Sequence, residues 1–194
     1  LAKGPVRYLL INSGNANAGT GAQGMRDAQA SCAAMAELAG CQARQVLPFS
    51  TGVIGQTLPV ERLTAALPAA LEALSDDDWP AAARAIMTTD TVPKLTSRRF
   101  QVDGQEARVT GMAKGAGMIC PDMATMLAYV ATDLAVDKDV LQAILSQAVT
   151  PSFNAITVDG DTSTNDACVL LASGVTKVGR ITTLDSESSR RLAQ

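Results

Sequence analysis

No histidine occurs among the 194 residues. That absence excludes Ser-His-Asp and Cys-His catalysis, His-ligated zinc and histidine proton shuttling within this chain. Any nucleophile here needs another base: a lysine, a carboxylate or a free α-amine. Aromatics are nearly as scarce, with one Trp, two Tyr and three Phe, so the core must be built from Ala, Val, Leu and Met. No apolar run approaches the length of a membrane span. Long basic runs are missing too. The 16 basic and 19 acidic residues leave a net charge of −3, which argues against a nucleic-acid footprint. Cys32, Cys41, Cys120 and Cys168 lack CxxC spacing and fall in apolar or helical surroundings. They read as reduced thiols of a reducing compartment, and no metal site is expected.

What is present reads as a globular α/β protein of one mid-sized or two small domains. Tyr8 to Ile11 predicts a buried strand, Asn12 to Gly21 a loop, and Met25 to Leu38 a helix stopped by Gly40. Gln45 to Pro48 predicts a second strand, and Pro59 the first turn of an Ala/Leu-rich helix. A helix is expected over Trp79 to Met87. Phe100 to Val102 and Ala107 to Met112 flank Asp103-Gly104, a strong hairpin signal. Strands are expected at Met126 to Thr132 and Ala155 to Val158. Helices are expected at Lys138 to Gln147, capped by Asp137, and from Asp166 through Ala172, capped by Ser163 or Thr164. The chain opens on Leu1 and closes on what reads as the start of a helix, Ser189 to Gln194, so it is expected to be an internal fragment of a longer product.

Four polar stretches interrupt this pattern. Asn12 to Gly21 has glycines that permit positive φ and amides able to cradle an anion, but it matches neither a P-loop nor a dinucleotide fingerprint. By itself it reads first as a strand-to-helix turn. Ser50-Thr51-Gly52 can aim a hydroxyl and a backbone N–H at one point, the equipment of an oxyanion hole, or be a plain turn. In Gly111 to Leu127, Lys114 is flanked by small residues, and Thr125 stands where an irregular proline-containing segment meets an apolar strand. These two are a lysine directed into a tight place and a candidate hydroxyl, or a surface charge and a strand residue. Asp159 to Asp166 has acidic and hydroxyl residues at alternate positions, but lacks the glycine and closing glutamate of a calcium loop. It reads as a turn and helix cap.

Taken together, Asn12-Ser13-Gly14-Asn15-Ala16-Asn17-Ala18, Ser50 to Gly55, Met87-Thr88-Thr89-Asp90-Thr91, Ala113 to Ile119, Met123 to Leu127 and Asp159 to Asp166 form an ordered set. In that order they resemble the ornithine acetyltransferases, the bifunctional glutamate N-acetyltransferases of the cyclic arginine pathway. The match runs from Asn12 to at least Gly174. Many members carry a cysteine where this chain has Gly19. The resemblance implies helices layered on β-sheets, as in that family and the self-cleaving aminopeptidases. It implies self-cleavage between Ala124 and Thr125, with residues 1–124 belonging to an α chain, 125–194 to a β chain, and the two forming one catalytic fold. It makes Thr125 the nucleophile and its freed α-amine the base, and makes Thr51 and Gly52 the oxyanion hole. Thr88, Lys114 and Thr125 are implied as substrate contacts, Thr88 being favoured over Thr89.

The implied reaction passes acetyl from N2-acetylornithine to Thr125 and then to glutamate. No cofactor is needed, and acetyl-CoA is a second donor that the family allows. The implied assembly is a heterotetramer of α and β chains in the cytoplasm, with no nucleic acid or membrane partner. The family's downstream substrate-binding glutamate falls beyond Gln194. Two other readings stay open: an N-terminal-threonine amidase or aminopeptidase that releases acyl groups to water, and a non-catalytic anion-binding domain.

Overall fold

The computed structural model describes residues 5–120 and 126–194. The chain forms two compact units, Leu1–Thr88 and Thr89–Gln194. The first contains β1 (Tyr8–Asn15), α1 (Gly21–Leu38), β2 (Val46–Val53), α2 (Val60–Glu72) and α3 (Trp79–Ala85). β1 and β2 pair in parallel from Tyr8↔Val46 to Gly14↔Gly52, and α1 supplies the crossover that a parallel pair requires. α1 buries Gly24, Asp27, Ser31, Cys32, Met35 and Ala36, the three-to-four spacing of one helical face. Cys32, Met35 and Ala36 meet Val46 and Leu67, with Tyr8, Leu10, Leu63 and Leu71 around them. The helix ends as expected beside Gly40, with Cys41 N–H on the Ala36 carbonyl at 2.9 Å.

The second unit contains β3 (Lys94–Val102), β4 (Gln105–Lys114), β5 (Leu127–Thr132), α4 (Lys138–Val149), β6 (Ala167–Ala172) and α5 (Glu187–Ala193). Its sheet has the order β3-β4-β5-β6. Asp103 and Gly104 take φ of +50° and +72° at the β3–β4 turn, so the predicted hairpin forms with both central residues left-handed. α4 and α5 bring Val140, Leu141, Ile144, Leu192 and Ala193 against Phe100, Val102, Ala107, Leu170 and Ala172 of the sheet. Both units layer helix on sheet, which is the α/β class expected.

Several elements differ from expectation. β1 continues through Asn15 because Asn12 to Gly14 still find register partners in Ser50 to Gly52. α1 starts at Gly21, and β2 runs through Thr51 and Gly52, so that site lies in a strand rather than a turn. Residues 156–158 form no strand; a 3-10 turn covers Phe153–Ala155. The largest correction is at 167–172, which is β6 and not a helix. Ala-Cys-Val-Leu-Leu-Ala has no polar face to give a helix, and it pairs in parallel with β5 from Leu127↔Ala167 to Thr132↔Ala172. Neither Ser163 nor Thr164 therefore caps a helix. Asp137 does precede α4, but its side chain makes no cap bond and instead meets Arg180 at 3.0 Å. All four cysteines are free thiols: Cys32 is buried, and burial pushes the Cys168 thiol up to about 11.

Candidate active site

In the first unit, the asparagine-rich stretch spends its side chains on itself. Asn15 donates to the carbonyls of Gln56 and Thr57 at 3.1 Å and accepts the Asn17 N–H at 2.8 Å. Asn17 donates to the Gly24 carbonyl at 3.0 Å and accepts from the Thr20 hydroxyl at 3.1 Å. Across the strands, the Ser50 hydroxyl donates to Asn12 Oδ1 at 2.6 Å. Asn12 to Asn15 therefore belong to β1, and these bonds knit the rest of the stretch, from Ala16 to the start of α1, into a strand-to-helix connection. They also fix the end of β2.

That fixed end carries Thr51 and Gly52. Thr51 is 2 % exposed, one of the most deeply buried side chains of the described residues. Gly52 stands at φ +134°, and a Cβ on it would lie 2.3 Å from the Gly14 carbonyl carbon. Only glycine lets β2 approach β1 this closely. Thr88 and Thr89 are exposed on a bend at the boundary of the units.

In the second unit, Lys114 ends β4 and is 2 % exposed. Burial pushes its pKa down from 10.5, opposed by the carboxylates of Asp90 and Asp166 and assisted by Lys94. Asp90 has a fully buried side chain that is paired with Lys94 and accepts the Gly115 N–H at 2.9 Å. Asp159 accepts from Met118 and Ile119, bonds that hold its carboxyl below the usual range. Asp166 accepts the Met126 N–H at 2.8 Å. Ala124 and Thr125 lie outside the described residues.

Sequence reasoning had no role for Asp90, Asp159 or Asp166. The only signal was that each stands inside one of the six ordered motifs. Together they accept backbone N–H groups from residues 115, 118, 119 and 126.

The first unit thus carries a buried threonine beside a glycine at the end of β2, and the second a buried lysine at the end of β4. Across residues 1–194 the chain matches the ArgJ family, and it belongs to that family. It is 64 % identical over 167 residues to the "Arginine biosynthesis bifunctional protein ArgJ" of Methylococcus capsulatus, covering 86 % of this chain and 41 % of that protein. The protein of the same name from Pseudomonas fluorescens is 56 % identical over 189 residues, covering 97 % of this chain and 47 % of that one. A crystal structure of arginine biosynthesis bifunctional protein argJ from Bacillus halodurans superposes with a TM-score of 0.53 at 40 % identity, covering 60 % of this chain and 61 % of that chain. The chain spans about half the length of the curated relatives it matches.

Replacing Lys114 by Met tests whether its charge serves ligand or fold. Removing one partner of a desolvated charge pair costs about 2–5 kcal/mol, so kcat/KM is expected to fall about 10²- to 10³-fold. Stability moves the other way. Because burial lowers the folded-state pKa, keeping Lys114 protonated costs folding free energy. That cost is absent above 10.5 and grows as pH falls through the lowered value. Lys114→Met removes it, so Tm at neutral pH is expected to equal or exceed that of the wild type. A Tm several degrees lower would make Lys114 a structural charge.

Proposed function

We propose that the protein containing this chain transfers acetyl from N2-acetylornithine to glutamate through an acetyl-threonine on Thr125, giving ornithine and N-acetylglutamate. The observation that carries this reading is the buried Lys114 ammonium in a chain of the ArgJ family. A substrate carboxylate would supply the hydrogen bonds that this ammonium lost on burial. Thr51 and Gly52 would donate to the oxyanion of each tetrahedral intermediate, a role typically worth about 3 kcal/mol per donor. Thr88 is assigned to substrate, and acetyl-CoA to a second donor role.

Maturation precedes turnover. The Thr125 hydroxyl attacks the Ala124 carbonyl, the C–N bond breaks, and the hydroxyl proton ends on the Thr125 nitrogen. Water then hydrolyses the ester, restoring the hydroxyl and leaving a free α-amine as the base that no histidine provides. Residues 1–124 and 125–194 then belong to separate α and β chains of a cytoplasmic heterotetramer.

Incubating the full-length product with N2-acetylornithine, with and without glutamate, tests the reading. N-acetylglutamate formed in step with ornithine is the expected result. Free acetate released at the same rate in both mixtures would instead make the enzyme a hydrolase with the same nucleophile.

A further inference from the structure

The Asp159–Asp166 stretch has no part in the chemistry just given, yet it grips the chain on both sides of the proposed junction. Asp159 Oδ2 accepts the Met118 N–H at 2.5 Å, and its Oδ1 accepts the Ile119 N–H at 2.9 Å. Next to it, the Val158 N–H and the Thr157 hydroxyl both donate to the Ile119 carbonyl, at 2.8 and 3.3 Å. These bonds hold Met118 at φ +56°, a conformation uncommon for a residue with a side chain. At the other end, Asp166 Oδ1 accepts the Met126 N–H at 2.8 Å while the Ala167 N–H donates to the Met126 carbonyl at 3.0 Å. One segment of chain therefore fixes residues 118 and 119 before the junction and residue 126 directly after the nucleophile.

We propose that Asp159 and Asp166 are positioning residues for self-cleavage. They hold residues 118, 119 and 126, on the two sides of the proposed Ala124–Thr125 cut, in fixed places, and fixing both flanks of a reacting bond lowers the entropy that the step must lose. The inference rests on the self-cleavage reading above. Neither aspartate exchanges a proton in the step. Each contributes by accepting backbone N–H groups, and Asp159 brings two acceptor oxygens where an asparagine has one.

The test follows cleavage of the full-length precursor, made in a cell-free system, by mass over time. Asp159→Ala and Asp166→Ala are expected to slow cleavage about tenfold or more, since each removes the acceptor that fixes one flank of the proposed cut. Asp166→Asn keeps an acceptor for the Met126 N–H and is expected to mature at nearly the wild-type rate. Asp159→Ala made as two separate chains, joined at no point and split before Thr125, is expected to transfer acetyl like the wild type made the same way. Maturation of either alanine variant at the wild-type rate overturns the proposal. An inactive split Asp159→Ala protein also overturns it, by making the aspartate a general structural requirement. A wild-type precursor that stays whole is a separate result: it removes the self-cleavage reading itself, and this inference with it.

Discussion

Replacing Thr125 by Ala is expected to leave the full-length protein as one uncut chain and to lower acetyl transfer by about 10⁵-fold or more. Loss of a covalent nucleophile in enzymes that act through an acyl intermediate has effects of that order. In the proposed mechanism the loss is doubled, because the same hydroxyl makes the cut that frees the α-amine. On that mechanism, without the cut there is neither nucleophile nor base. Thr125→Ser keeps the hydroxyl and is expected to mature and turn over.

The mass must be read under denaturing conditions. β4 and β5 stand on either side of the proposed junction and pair in antiparallel register from Val109↔Thr132 to Lys114↔Leu127, so two pieces made by a cut there are expected to stay together in the native state. Two chains from the wild type and one from Thr125→Ala, beside loss of transfer in the variant, is the expected set. A Thr125→Ala protein that still transfers acetyl would return the site to a binding role or to another nucleophile.

Local signals made much of this fold legible. Asp103-Gly104 between two apolar runs specifies a hairpin because few other dipeptides accept two left-handed residues in succession, and the structure has that turn. α1 was readable from a stripe of small apolar residues that ends at a glycine. β6 was not, because six apolar residues carry no period that separates strand from helix. Its state is decided by the open edge of β5, a partner some forty residues away. The same distance hid the aspartates. A carboxylate beside glycine and threonine reads as a turn former. Whether Asp159 closes its own turn or grips Met118 and Ile119 depends on tertiary placement. It does both: its Oδ1 also accepts the Asp161 N–H at 3.4 Å. Ser50-Thr51-Gly52 reads from sequence as an oxyanion hole or a plain turn, and its place inside β2 was not legible, since that extension depends on Asn12 to Gly14 continuing as a strand.

Gly52→Ala is expected to lower Tm by about 10 °C or more, an effect out of proportion to one methyl group. The added Cβ would meet the Gly14 carbonyl carbon at 2.3 Å, with the Asn15 nitrogen and the Gly14 oxygen both at 2.6 Å. All three are backbone atoms of β1, so no side chain can swing aside, and the strands must separate. A residue with a side chain at φ +134° adds conformational strain of about 1–3 kcal/mol. Overpacking adds about 1–3 kcal/mol more, against a total stability of about 5–15 kcal/mol for a typical protein. Separation of β1 from β2 also moves Thr51 next door, so transfer measured well below Tm is expected to fall as well. Thr51→Val isolates that second effect: it keeps shape and burial, removes the hydroxyl, and is expected to cost about 10²-fold in turnover with Tm unchanged. If Gly52→Ala kept both the wild-type Tm and full turnover, the close approach of β2 to β1 would have no part in holding Thr51, and the oxyanion role of this strand end would fall with it.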